Sequence, residues 1–377
     1  MKRRNFLHHT GMASAGVMAS SLFAGGSPIP ADANKVSSSV SAIKKGAFSA
    51  KSGLGGVAIG NGFQPHTDLK ALQTMESAWN TGVRHFDTSP WYGLGISERR
   101  MGLYLKDKNR ADFILSSKIG RILHPEDNFQ LENGLWKGKL NFRYVYDYSA
   151  AGARKSVEDS LQRLGVASLD IVYIHDLSPD NDDFKGDWEK HFQEAAKGAM
   201  PELTKMREEG LIKGWGLGVN TIEPILKTFE VADPDVFLSA CQYSLMLYED
   251  ALNKVFPIAA EKDVKIVVGA PLSAGYLAGK DRYLYGGNVP AGMAERRAAL
   301  MRVASAHQVD LRTAALQFSA APEVVSAVIP GASTAAQASA NAASFAAEIP
   351  IAFWDELKQE GLLAEHTPIP TTNKIIT

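Results

Sequence analysis

From Leu54 onward, short β-branched or apolar runs alternate with longer amphipathic stretches, and this alternation constrains the fold more than any other feature of the chain. The strand candidates are 56–60, 83–87, 113–118, 170–175, 213–218, 236–242, 265–269 and 324–329, eight in all. Helix candidates fall between and after them at 68–81, 97–106, 150–164, 189–209, 222–231, 249–261, 292–320 with a break near His307, and 334–347. Eight strands alternating with helices predict an α/β fold, a closed (β/α)8 TIM barrel over residues 53–377, rather than an open doubly wound sheet. A last amphipathic stretch, 352–363, falls outside the repeat and is expected to cap the barrel. Between Arg121 and Tyr148 lies a long insertion carrying Trp136, Phe142, Tyr144, Tyr146 and Tyr148. An aromatic loop after a barrel strand suits either a substrate-pocket wall or plain packing on the rim.

The N-terminus reads as an address. Lys2-Arg3-Arg4-Asn5-Phe6-Leu7 is a twin-arginine segment, an uncharged stretch of small and apolar residues follows from Thr10 to Gly26, and Ala31-Asp32-Ala33 supplies a small-residue cleavage site. Residues 1–33 are therefore expected to be a Tat signal peptide and 34–52, rich in Ser, Lys and Ala, a linker. The expected partner is the Tat export machinery and the expected location is the periplasm. The bland alternatives are an N-terminal helix or a stray basic patch. The stretch is Gly- and Ala-rich with no cysteine beside it for lipid attachment, so no stable membrane anchor is expected.

Charge and cysteine narrow the function classes. Forty basic against 41 acidic residues leave a formal charge of −1, which offers no field to attract nucleic acid or an anionic surface. Cys241 is the sole cysteine, which excludes an intramolecular disulfide and a thiolate zinc site, and no metal is expected.

Barrel enzymes place chemistry at the C-terminal ends of their strands. Three neighbouring strand candidates end in polar residues: Asp87, with Tyr92 in the loop above it, Lys118 and His175. Adjacent strands lie about 5 Å apart, so the four can share one pocket. Together they suit carbonyl reduction, which needs a hydride, a proton for the oxygen and stabilisation of developing negative charge. A phenol of pKa about 10 relays protons poorly at neutral pH unless a cation lowers it. Lys118 is expected to do so, Asp87 to keep Lys118 charged, and His175 to hydrogen-bond the carbonyl oxygen. Singly, each has a plainer reading as loop cap, solvated strand end or satisfied core histidine.

The segments FDTSPWYG, SSKIG and DIVYIHD resemble the Asp, Tyr, Lys and His tetrad of the aldo-keto reductase superfamily. The likeness extends through GLGVN, Gln242-Tyr243-Ser244 and VIPGASTAAQASAN. DYSAAGARKSVEDSLQRLG and His175-Asp176 resemble its D-threo-aldose 1-dehydrogenase and pyridoxal 4-dehydrogenase branch. The resemblance implies that Asp87, Tyr92, Lys118 and His175 are catalytic, with Tyr92 the proton relay. It implies that Asn220 and Gln242 bind a nicotinamide carboxamide, and that Gly331, Ser333, Thr334, Gln337 and Asn341 hold the pyrophosphate and adenosine. A Gly-containing turn into a helix N-terminus suits phosphate, although an ordinary β-to-α turn looks the same. Trp91 and Trp136 are candidate substrate-pocket residues.

Three departures bear on the cofactor. Gly331 and Gln337 stand where NADPH-selective relatives commonly carry Lys and Arg, so of NAD and NADP the former is favoured. Val219 replaces the usual Ser before the carboxamide-binding Asn. Gly269 stands where many relatives stack an aromatic ring on the nicotinamide, leaving Tyr243, Trp91 or Tyr276 to compensate. The expected function is hydride transfer between NAD or NADP and an aldose, a lactol or another small polar carbonyl or alcohol. The alternative is an exported barrel that binds a sugar or aldehyde without catalysis.

Overall fold

Eight short parallel strands carry the architecture, in a computed structural model that describes residues 51–132, 134–286 and 288–370. The strands are β1 (Gly53–Gly55), β2 (His85–Asp87), β3 (Ile114–Ile119), β6 (Leu169–His175), β7 (Ile212–Val219), β8 (Val236–Ala240), β9 (Lys265–Gly269) and β10 (Val325–Ile329), hydrogen-bonded in that order. The ring closes where Gly55 N–H donates to Pro330 O at 3.1 Å and Val328 N–H to Lys51 O at 2.9 Å. The expected barrel is the fold. The expected signal peptide and all but the last residues of the linker lie outside the described residues. Among the described residues, no helix is long and apolar enough to cross a membrane.

Strand periodicity sorts the side chains. Along β6, Ile171, Tyr173 and His175 point inward, and the first two join Val236, Leu238, Val267, Ala327 and Ile329 in a buried inner core. A tyrosine and a lysine fit inside because β7 gives up volume. A Cβ on Gly216 would stand 1.8 Å from Val236 O, and one on Gly218 would meet Tyr173 Cβ at 3.2 Å and Lys118 Cε at 3.5 Å. The outward-facing residues pack under the helical layer in a second, larger core that includes Phe86, Leu115, Val172, Trp215 and Phe237.

The helices are α1 (Asp68–Asn80), α2 (Ile96–Leu105), α3 (Ala150–Leu164), α4 (Trp188–Lys197), α5 (Ala199–Glu208), α6 (Glu223–Val231), α7 (Phe256–Glu261), α8 (Met293–Ala306), α9 (Leu311–Ala320), α10 (Ala335–Ser344) and α11 (Ile351–Gln359). Their ends follow local chemistry: Ser149 caps α3 by accepting Gly152 N–H, and Gly165 closes it at φ 68°.

Several expectations need correction. The first strand lies at Gly53–Gly55; the expected 56–60 coils into turns, with Gly60 N–H donating to Gly56 O at 2.9 Å and Gly62 N–H to Val57 O at 2.9 Å. The single helix expected over 189–209 is two, because Gly198 crosses the chain at Tyr148–Ala150, where a Cβ would sit 2.9 Å from backbone atoms. The final helix, α11, joins the outer helical layer beside α8 instead of capping the barrel, with Glu356 2.7 Å from His307 Nε2. The long insertion is no loop. It holds an antiparallel hairpin of β4 (Arg121–Pro125) and β5 (Phe142–Tyr146), paired Arg121 to Tyr146 and Leu123 to Tyr144.

Candidate active site

Strand register brings the four polar residues together. Asp87 ends β2 and pairs with Ser116, Lys118 pairs with Tyr173 one step higher, and His175 closes β6. Lys118 Nζ donates to Asp87 Oδ2 at 2.7 Å and to Thr88 O at 2.8 Å, with both charged side chains almost wholly buried. The same ammonium lies 4.6 Å from the Tyr92 ring centroid, and the Tyr92 and His175 rings meet edge-on at 5.7 Å. One carboxylate, one ammonium, one phenol and one imidazole thus share a single buried cluster at the barrel mouth.

Burial dominates the electrostatics. It pushes the Lys118 ammonium below its ordinary value, and Asp87 opposes the shift. It holds His175 well below 6.5, helped by Lys118 and Arg121, so the imidazole is neutral at neutral pH. The Tyr92 phenol is driven well above 10, first by burial and then by Asp87. The expected net lowering is therefore not what the resting site shows: burial outweighs the cations, with Arg121 pulling the phenol down and the Lys118 ammonium hydrogen-bonded to Asp87 and Thr88.

Several supporting residues were not anticipated. Ser116 Oγ donates to Asp87 Oδ1 at 2.8 Å, and His85 Nε2 lies 3.4 Å behind it. Ser89 Oγ lies 2.9 Å from His175 Nδ1. Arg121 Nη1 donates to Asp176 Oδ2 at 2.7 Å, and its guanidinium stacks over Trp91 at 4.5 Å and Tyr146 at 4.7 Å. Trp91 meets Trp136 edge-on at 5.6 Å, and Trp136 lies 5.7 Å from the Tyr92 ring. Ser89 was legible as part of FDTSPWYG; the Arg121 pairing was not, because it depends on the hairpin.

A cavity of about 690 Å³ runs from Asp87 and Tyr92 to Gly331, Ser333, Thr334, Gln337 and Asn341. At the far end Thr334 caps α10 by accepting Gln337 N–H, Gln337 Oε1 accepts Ser333 N–H at 2.8 Å, and Asn341 Nδ2 donates to Gly331 O at 3.3 Å. The Ala335 and Ala336 N–H groups in the first turn have no intrahelical partner, which suits a phosphate. Asn220 and Gln242 stand apart from this wall and are engaged with protein: Asn220 Nδ2 donates to Asp180 Oδ2 at 3.0 Å, and Gln242 Nε2 donates to Asn220 O. Of the three aromatic residues considered for Gly269, Tyr276 lines the cavity. Tyr243 is buried against Phe318 and Phe256, and Trp91 belongs to the Arg121 cluster. Phe63 lines the cavity, stacked on Tyr285 at 6.2 Å with the Arg282 guanidinium 3.6 Å from its centroid. Among the described residues no group of three or more His, Cys, Asp or Glu side chains could hold a metal ion.

A sequence model described as the Aldo/keto reductase family matches residues 52–360. The chain is 33% identical over 327 residues to the D-threo-aldose 1-dehydrogenase of a Pseudomonas species, covering 82% of this chain and 94% of the relative. It is 33% identical over 333 residues to the pyridoxal 4-dehydrogenase of Microbacterium luteolum, covering 83% and 94%. In fold it matches the glycerol dehydrogenase of Gluconobacter oxydans with a TM-score of 0.63 at 23% identity, over 87% of this chain and 96% of the other. A match that runs the length of the barrel, on a frame that gathers these four side chains, places the chain in the aldo/keto reductase family, oxidoreductases that use NAD(P)H.

Proposed function

We propose that the chain is an NAD-dependent aldose dehydrogenase, acting reversibly on an aldose, its lactol or a similar small polar carbonyl. The observation that carries this reading is the meeting of Tyr92, Lys118, Asp87 and His175 in one cluster, of which Asp87 and Tyr92 line one end of the cavity whose other end is the α10 N-terminus. When bound, the cofactor would supply or take the hydride at its nicotinamide. The chain's own groups handle the oxygen. Tyr92 gives its phenolic proton to the carbonyl oxygen as negative charge develops there. His175, neutral, donates a hydrogen bond to the same oxygen and fixes its direction. Lys118, held under the Tyr92 ring by Asp87, favours the phenolate left behind. The surrounding Trp91 and Trp136 rings exclude water.

NAD is favoured because neither candidate for a 2′-phosphate offers charge. Gly331 has no side chain, Gln337 is turned to Ser333 N–H, and the Arg312 guanidinium on the same wall is paired with Asp310 at 2.8 Å. The names of the two dehydrogenases above motivate the substrate class. The Tat leader and a periplasmic home belong to the proposal and rest on the twin-arginine segment; cell fractionation locates the mature chain.

The test is a scan of NAD+ and NADP+ reduction against aldoses and pyridoxal with wild type and Tyr92→Phe. Turnover of an aldose with NAD+ is expected, and its loss by about 10²- to 10⁴-fold in the variant with cofactor binding retained. Full activity in Tyr92→Phe removes the proton relay from this residue.

A further inference from the structure

The residue after the catalytic histidine has an oxygen to spare. Asp176 Oδ2 takes the Arg121 Nη1–H, while Oδ1 stands 3.5 Å from His175 Nε2 and accepts no hydrogen bond from the described residues. A carboxylate has room for about four donors, so a half-satisfied one beside a reaction centre is open to a ligand. The backbone holds it there. Asp176 N–H donates to Gly218 O at 2.9 Å, its carbonyl takes Asn181 Nδ2–H at 2.9 Å, and between these anchors φ is 48°. Left-handed backbone is costly for a side chain other than glycine, and here it turns the carboxylate back towards the imidazole. A residue kept only to neutralise Arg121 needs no free oxygen beside His175.

We propose that Asp176 is a substrate-binding residue: its Oδ1 accepts the hydroxyl on the carbon next to the reacting carbon, so that the site selects α-hydroxy carbonyls and their lactols over plain aldehydes. This rests on the reading of Tyr92 and His175 given above. The donor pattern carries it. His175 Nε2–H donates to the reacting oxygen and Asp176 Oδ1 accepts from its neighbour, and a vicinal hydroxy-carbonyl presents an acceptor and a donor in that order. Its two oxygens are separated by about one hydrogen-bond length, comparable to the gap between the two protein atoms. Arg121 supplies the counter-charge to a carboxylate that is mostly, though not wholly, withdrawn from water. Trp136 Nε1–H, buried and without a partner among the described residues, is a further donor in the aromatic cluster beside the Tyr92 ring.

The experiment is calorimetric binding to the full-length, NAD-loaded protein of aldopentoses and aldohexoses, each beside its 2-deoxy analogue. Wild type is expected to bind the aldose of its best pair at least about ten-fold more tightly, the worth of one hydrogen bond to a charged group. In Asp176→Gly, chosen because glycine suits the left-handed φ, the ratio is expected to fall to within about two-fold of unity. If that variant does not fold because Arg121 is left unpaired, Asp176→Gly with Arg121→Met reads the same ratio. No aldose bound, equal binding of both sugars by wild type, or a ratio that survives in the variant overturns the assignment. Turnover of the same aldoses with NAD+ by wild type is measured alongside. Its absence counts against the proposed enzyme activity, while the binding ratio alone judges Asp176.

Discussion

Ser89 Oγ lies 2.9 Å from His175 Nδ1 while accepting the Trp91 backbone N–H at 3.1 Å. On the other side of the ring, Nε2 lies 3.5 Å from the Asp176 carboxylate, too far for a hydrogen bond but near enough for the negative charge to favour a proton on that nitrogen. A neutral imidazole has one proton, and these neighbours favour it on Nε2, the edge assigned to the substrate oxygen in the proposed function. Ser89→Ala is expected to lower kcat/KM by about ten-fold, the loss of one hydrogen bond's worth of orientation. Nitrogen NMR of His175 in the same variant is expected to show a mixture of tautomers where wild type shows the Nε2–H form alone. A single unchanged tautomer would remove Ser89 from this role.

The Lys118–Asp87 pair is a stability question as well as a catalytic one. Both partners are out of water, so Lys118→Met leaves a buried carboxylate without counter-charge, at a cost of about 3–5 kcal/mol. Adding Asp87→Asn is expected to recover most of that loss in urea unfolding, while turnover stays low. A double variant no more stable than Lys118→Met would show that the lost charge balance is not what destabilises the single one.

His85 sits wholly buried behind Ser116, and burial holds its pKa down to about 4 despite the pull of Asp87 and Asp170. Its unfolded value is about 6.5, so the unfolded chain takes up the proton first. The stability tied to a neutral His85 is present above pH 6.5 and is lost as pH falls from there towards 4, by on the order of 3 kcal/mol. His85→Leu is expected to flatten the decline of the urea midpoint between about pH 6.5 and 4.5, with His175 and His66, shifted in the same sense, contributing to the slope that remains. A curve that superimposes on wild type rules His85 out as the source.

The strands were legible because parallel strands buried on both faces read as unbroken apolar runs, as in IVYI at 171–174 or KIVVG at 265–269. The error at 56–60 came from the same rule: VAIG is apolar enough for a strand, and its coiling is set by hydrogen bonds within the segment. FRYVY has the period-two signature of a strand, yet its partner RILHP lies across a gap that also holds Trp136, which obscured the hairpin. Asp87, Lys118 and His175 were legible because a strand's C-terminal end is fixed by its own sequence, and Tyr92 because it follows the end of β2 within one short segment, FDTSPWYG. Ser116, Arg121 and Asp176 owe their neighbours to register and backbone sign, which a linear reading does not carry.

Asp87, Lys118 and His175 are spaced by the hydrogen-bonded ladder of β2, β3 and β6, whereas Trp91, Arg121 and Trp136 depend on a hairpin and loops seated above it. Three of the four clustered groups are therefore set by the ladder, while the fourth, Tyr92, shares the upper layer with the aromatic wall and Arg121. Exchanging the hairpin would change the walls of the pocket and the surroundings of the phenol together.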